Sequence, residues 1–334
     1  MKKAITIKNL RAYYILQNSG NKKIVRAVDD VSLDIYEGEI LGIAGESGCG
    51  KTTLLKVLYG LLNPPLFVKS GEIIYHDVGG TEVDILKLPV SEKRSMLYWK
   101  HISYIPQASM NVLNPLLKVK KQFLKVLKTH YKDRKKGQLL EMAAEHAKNL
   151  GLPSDILDSY PHQLSGGMRQ RVTIAIATLF TPKIIFADEP TTALDVVVQR
   201  GVMQILKDLQ SIYKNTIVLV SHDIAVHAEI TDRLGIMYAG KLVELGPTLS
   251  LFRSPLHPYT RFLIESLPQI GEKKTKMSVP GVPPSLINLP SGCRFHPRCP
   301  FKSEICSEEE PPFVEVREGH FVACFRTTKE EDYL

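Results

Sequence analysis

The chain has 334 residues, 44% hydrophobic and 23% charged, with a formal charge of +8. That length buries a full core with room for an appendage, and the balance is ordinary for a soluble globular protein. No apolar run reaches membrane-span length, and no apolar stretch of signal-peptide type follows Met1-Lys2-Lys3, so a cytosolic location is expected.

In chain order, Ala4–Ile7 and Val28–Ile35 read as strands, the second ending at the turn Glu37-Gly38-Glu39. Between them lies the aromatic stretch Ala12-Tyr13-Tyr14-Ile15. Ile40–Ala44 is a short apolar run of buried-strand type, and Thr53–Tyr59 has helical spacing of apolar residues. The segment joining them, Gly45-Glu46-Ser47-Gly48-Cys49-Gly50-Lys51-Thr52, fits G-x-x-x-x-G-K-[ST] at every fixed position. Strand, glycine-rich turn and helix start form a triphosphate cradle. Backbone N–H groups from Gly45 to Thr53 converge on phosphate, and the helix N-terminus adds partial positive charge. Lys51 is expected to reach the β- and γ-phosphates, and the Thr52 hydroxyl to ligate Mg²⁺.

Asn63-Pro64-Pro65 breaks the chain, after which Glu72–His76 and Ile102–Ile105 resume as strands. Gln107 follows the second of these and is a candidate sensor of Mg²⁺ or of an attacking water. From about 115 to 178 strand signals give way to helical periodicity, notably over Gln138–Leu150 and Gly167–Leu179. This reads as a helical insertion between two halves of an α/β core. Nine basic residues between Lys118 and Lys136 fit a solvated helix face, a nucleic-acid patch or a surface near anionic lipid. Only Phe123 and Tyr131 are aromatic there, so no stacking platform for nucleic acid is suggested. In Leu164–Arg171, Ser165 is a helix N-cap candidate, and Gly166-Gly167 exposes backbone N–H groups as a second anion site.

Pro182–Pro190 is an apolar strand ending in Asp188-Glu189, the position where open α/β sheets bind ligands. Asp188 is the expected Mg²⁺ holder and Glu189 the expected base for a water attacking the γ-phosphate. Thr191–Asp195 leads into a helix over 196–213. Asn215–Val220 is a buried strand delivering His222 to the same edge, and residues 233–246 form a hairpin turning at Ala239-Gly240. Beyond 247 a proline-rich connector surrounds one helix near Tyr259–Leu267. Cys293, Cys299, Cys306 and Cys324 follow, spaced for two disulfides, a Zn²⁺ site or an iron–sulfur cluster.

Gly45–Thr52, Gln107, Leu164–Gln170, Asp188–Glu189, Ala193–Asp195 and His222 stand in the order and approximate spacing of an ABC-transporter ATPase, and the chain resembles that family. Asn114-Pro115, Leu256-His257-Pro258-Tyr259-Thr260, Gly281–Pro284 and Cys293–Pro300 are similar to the dipeptide/oligopeptide-importer branch, so the likeness spans nearly the whole chain. It implies a P-loop α/β core over 1–114 and 179–250, a helical subdomain with the signature over 115–178, and a cysteine-rich extension over 251–334. Tyr14 is then the adenine-stacking aromatic and Gln107 a Q-loop residue beside Mg²⁺. Ser165, Gly166 and Gly167 are the signature residues, Glu189 the catalytic base, Asp195 the D-loop acid and His222 the switch histidine. The likeness also implies that Cys293, Cys299, Cys306 and Cys324 bind a [4Fe–4S] cluster, with zinc as the alternative.

The same resemblance implies a head-to-tail pair with a second ATPase subunit, each ATP lying between one phosphate loop and the other's signature. Two transmembrane permease subunits would sit above the pair, contacting Gln107–Asn114 and the helical insertion, with an extracellular solute-binding protein engaged indirectly. The chain would thus lie at the cytoplasmic face of the membrane, without nucleic acid as a partner. Import of oligosaccharides instead of peptides, and a non-transport ABC ATPase, are the rival readings.

Overall fold

The computed structural model describes residues 1–18, 21–107, 112–192, 194–267 and 279–328. The chain divides into one unit of residues 1–89 with 218–334 and another of residues 90–217. In the first unit β1 (Lys3–Asn18), β2 (Asn21–Tyr36), β4 (Leu66–Val78) and β5 (Thr81–Asp84) form an antiparallel sheet in the order β2-β1-β4-β5. Strand β1 runs far past the expected Ala4–Ile7. Asn9 and Asp30 adopt left-handed conformations, φ 47° and 66°, which Asn and Asp tolerate better than most residues. The β1–β2 register shifts between Ile7 and Leu10, so the ladder slips past the polar Lys8-Asn9 and continues through Tyr14.

The second sheet of this unit runs β11-β12-β10-β9-β3-β8. Its strands are β3 (Ile40–Ala44), β8 (Thr216–Val220, where the chain returns from the other unit), β9 (Arg233–Tyr238), β10 (Lys241–Pro247), β11 (Val314–Arg317) and β12 (His320–Val322). Every residue of β3 and β8 is buried, the pattern of strands covered on both faces. Strands β9 and β10 form the expected hairpin over Ala239-Gly240, both with positive φ. The cysteine-bearing segment adds to this sheet, since β12 pairs antiparallel with β10.

Helices α1 (Lys51–Tyr59), α7 (Ile224–Ile230), α8 (Thr248–Arg253) and α9 (Pro258–Glu265) belong to this unit, with the single turns α10 (Ile305–Glu308) and α11 (Phe325–Thr328). Tyr238, Tyr259 and Phe295 lie at the centre of one buried cluster with Ile236, Val243 and Leu251. Cys293 and Cys299 pack against it.

The second unit begins with a short helix α2 (Val90–Glu92) and a π-helical segment Lys93–Leu97, then β6 (Ile102–Ile105). Helices α3 (Val119–His130), α4 (Lys136–Asn149) and α5 (Gly166–Thr178) follow, then β7 (Ile184–Asp188), parallel to β6, and α6 (Val196–Tyr213). On α3 the residues Val119, Phe123, Leu124 and Leu127 are buried while Lys121, Lys125 and Lys128 are exposed. The basic run is therefore largely the solvated face of an amphipathic helix, with Lys118 and Lys120 paired to Asp158.

Candidate functional site: a phosphate loop and a carboxylate-bearing strand edge

The first unit holds the loop that leaves β3. Gly45 and Gly50 have φ of +145° and +112°, and a Cβ on them would stand 2.2 Å from the Met237 carbonyl oxygen and 1.9 Å from that of Ala27. Neighbouring strands thus press against the loop backbone, and only glycine fits at these two points. Gly48, at φ +79°, has open space around it, and Ser47 is exposed. Gly50 is the N-cap of α1 and no side chain caps that end. The helix therefore presents its first N–H groups toward the loop, a device for anions.

Lys51 is buried, 5% exposed. Its Nζ donates to the carbonyl oxygens of Gly45 at 2.7 Å and Glu46 at 3.0 Å, so the ammonium is held inside the loop curvature. The Cys49 side chain is buried, which pushes its thiol above the usual range and makes it a packing residue. Its carbonyl accepts from Gly240 N at 2.8 Å, tying the loop to the β9–β10 turn. Thr52 is half-buried in the first turn of α1. Tyr14 is placed beside the same turn, its Oη 3.1 Å from Thr53 Oγ1.

His222 is exposed immediately past β8, and the neighbouring Ser221 N donates to Ile43 O at 3.3 Å. His222 thus emerges beside the strand that launches the loop. Behind it sits a histidine the sequence did not single out. His227 is fully buried, and a Cβ on Gly42 would lie 2.4 Å from its Nδ1. Burial pushes its pKa down to about 4, so it is neutral at pH 7.

In the second unit the paired strands β6 and β7 deliver their chemistry at their carboxyl ends. Gln107 Nε2 donates to Glu189 Oε2 at 2.9 Å, and Thr192 Oγ1 donates to the same oxygen at 3.0 Å. Glu189 has φ +43°, a sparsely populated conformation for a residue with a side chain. Asp188 is 1% exposed and accepts from Tyr104 Oη at 2.7 Å. Tyr104 and Thr192 escaped the sequence reading. The available signal was a hydroxyl-bearing residue three positions from an identified polar group, Tyr104 before Gln107 and Thr192 after Glu189.

Ser165 caps α5, accepting from Met168 N at 3.2 Å, and Asp195 caps α6, accepting from Val198 N at 3.0 Å. The glycine pair has a packing cause as well. A Cβ on Gly167 would stand 2.4 Å from Val198 Cγ1, so glycine lets α5 and α6 approach closely. Of the signature and D-loop stretch, Ala193 lies outside the described residues, as do residues 108–111 of the loop after Gln107.

All five cysteines are free thiols, which removes the disulfide reading. Cys293, Cys299, Cys306 and Cys324 line one cavity of about 440 Å³ in the first unit. Burial first, then the neighbouring thiols, pushes Cys293 up to about 11, and burial raises Cys299 too. An all-sulfur donor set suits an iron–sulfur cluster or zinc. Among the described residues, however, no group of three or more His, Cys, Asp or Glu side chains is arranged to hold a metal ion.

Comparison with known proteins adds the context that geometry cannot. Residues 28–192 match the ABC transporter model, and residues 243–306 match the oligopeptide/dipeptide transporter C-terminal region. The dipeptide transport ATP-binding protein DppD of Caldanaerobacter subterraneus subsp. tengcongensis is 41% identical over 322 residues, 96% of each chain. The oligopeptide transport ATP-binding protein OppD of Escherichia coli is 39% identical, covering 98% of this chain and 94% of that one. A dimeric post-hydrolysis ATP-binding cassette bound to ADP and Pi aligns with a TM-score of 0.62 at 29% identity, covering 73% of this chain and 98% of that one. The chain belongs to the ABC-transporter ATP-binding proteins, in the dipeptide/oligopeptide transport family.

Proposed function

We propose that this chain binds and hydrolyses Mg-ATP as the ATPase subunit of an importer of dipeptides and oligopeptides. The observation that carries the reading is the loop Gly45–Thr52, whose glycines, inward-held Lys51 and uncapped α1 end make a phosphate cradle. Relatives named for dipeptide and oligopeptide transport favour peptides over oligosaccharides as the cargo class.

Residue by residue, Lys51 neutralises the β- and γ-phosphates and the loop N–H groups orient them. Glu189 takes the proton of the attacking water, and Gln107 and Thr192, both donating to its Oε2, orient the carboxylate. Asp188, oriented by Tyr104, would be a Mg²⁺ ligand, as would the Thr52 hydroxyl, and the ion when bound would offset phosphate charge. Tyr14 stacks on the base, and His222, exposed past β8, contacts the γ-phosphate. Ser165, Gly166, Gly167 and Asp195 serve the nucleotide of a second ATPase subunit arranged head-to-tail. The dimeric cassette structure that this chain resembles supports such a pair.

The finer assembly belongs to the same proposal: a core over 1–114 and 179–250, a signature-bearing helical subdomain over 115–178, and an extension over 251–334. Two permease subunits and an external solute-binding protein complete it at the cytoplasmic membrane face. No helix among the described residues is long and apolar enough to cross a membrane, so the permeases would supply the passage. We include a [4Fe–4S] cluster on Cys293, Cys299, Cys306 and Cys324, supported by their shared cavity and sulfur-only chemistry. Anaerobic purification with iron and sulfide assays tests it, and stoichiometric zinc in a colourless protein would replace it. For the ATPase itself, phosphate release by Glu189→Gln is the test: parental turnover would remove Glu189 as base.

A further inference from the structure

Glu46, a variable position of the phosphate-loop pattern, is gripped from three sides. Its backbone N–H donates to Tyr259 Oη at 2.8 Å. Its carbonyl oxygen accepts from Lys51 Nζ at 3.0 Å and from Cys49 N at 3.3 Å. Its carboxylate is held by a two-point fork, Arg298 Nη1 to Oε2 at 2.7 Å and Nη2 to Oε1 at 3.0 Å. A paired fork of this kind fixes direction as well as distance, which a lysine point charge does not.

Arg298 is itself immobilised. Its side chain is 5% exposed. Its Nε donates to Pro280 O at 2.5 Å and its Nη1 to Tyr238 Oη at 3.3 Å. The guanidinium lies 5.9 Å from the Phe295 ring centroid, within cation–π range. The residue ends a short 3₁₀ turn, His296–Arg298, set between two of the cavity cysteines. Cys293 O accepts from His296 N at 2.9 Å, and Cys299 N donates to His296 O at 3.3 Å.

We propose that Arg298 is a positioning residue for the phosphate loop: through its fork on Glu46, the cysteine-bearing segment sets the loop shape from which Lys51 meets the nucleotide. Tyr259 is the second point of the same strut, since its hydroxyl fixes the Glu46 peptide while its ring is locked in the core. The inference rests on the reading that nucleotide binds at Gly45–Thr52. It adds a connection across 252 positions of the chain that the G-x-x-x-x-G-K-[ST] pattern does not contain.

The test is the dissociation constant for a Mg²⁺-bound nonhydrolysable ATP analogue, measured on the full chain by calorimetry. Arg298→Met and Glu46→Gln should each weaken binding about tenfold, and the double variant no more than either alone. Arg298→Lys should recover part of the loss. Wild-type affinity in Arg298→Met, or additive losses in the double variant, would overturn the strut. If Arg298→Met unfolds, Tyr259→Phe decides, because it removes only the hydroxyl that holds the Glu46 N–H. It should weaken binding about threefold, and unchanged affinity would overturn the proposal equally. Failure of the wild-type chain to bind the analogue would strike the nucleotide reading instead, so the two failures are distinguishable.

Discussion

Replacing Gly167 by alanine places a methyl group 2.4 Å from Val198 Cγ1, where carbon atoms normally stay about 3.5–4.0 Å apart. Gly167 lies in the first turn of α5, and removing a helical glycine gains about 0.5–1 kcal/mol. Overpacking a closely fitted contact costs about 1–3 kcal/mol. The contact wins, and Gly167→Ala should lose about 1–2 kcal/mol net. Val198→Ala alone trims a half-buried side chain and should cost about 1 kcal/mol. In the double variant the clashing Cγ1 is gone, so its loss should not exceed that of Val198→Ala. Urea unfolding of the four proteins measures the cycle. A Gly167→Ala variant as stable as the parent, or losses that simply add, would refute the claim that glycine is there for helix approach.

Other expectations follow from the same geometry. Gly50→Ala drives a Cβ into the Ala27 carbonyl at 1.9 Å, so calorimetry should find binding of Mg-nucleotide lost, and retained affinity would contradict the loop argument. Glu189→Gln should lower steady-state phosphate release by about 10²-fold or more while leaving nucleotide binding intact. Burial holds His227 and His257 down to about 4, against about 6.5 in the unfolded chain. Between those values the unfolded state binds more protons. Stability is therefore full above about pH 6.5 and falls as pH drops toward 4, by up to about 3 kcal/mol per histidine. An NMR titration showing either ring protonating near pH 6.5 in the native state would contradict this.

The site was legible where one local pattern carries one physical cause. Gly45–Thr52 announces itself because a tight backbone turn needs glycine at fixed steps, and Ile40–Ala44 because a strand covered on both faces is continuously apolar. Helix α6 begins at Val196 as expected because Asp195 caps it. Strand β1 was read too short because the bulge at Asn9 resets the alternation that marks a strand. The β11–β12 hairpin was hidden by its surroundings: Val314–Arg317 and His320–Val322 flank a glycine turn at Gly319, but the prolines and cysteines around them dominate the composition.

Contacts distant in sequence were not legible. The Ser165-Gly166-Gly167 stretch reads as a source of N–H groups, and the sequence does not show that Gly167 also meets Val198 on another helix. Tyr104 was read only as part of a strand, since its value lies in the hydroxyl it gives to Asp188, 84 positions away. Arg298 enters the sequence reading only as part of Cys293–Pro300. Nothing in periodicity or spacing tells that it grips Glu46.

Every role proposed for this chain depends on nucleotide binding at Gly45–Thr52. The most direct measurement is equilibrium titration of the purified chain and of Lys51→Ala with Mg-ATP. One nucleotide bound per wild-type chain, with binding abolished or severely weakened in Lys51→Ala, is the predicted result. No binding by the wild type, or equal affinity in both proteins, would contradict it.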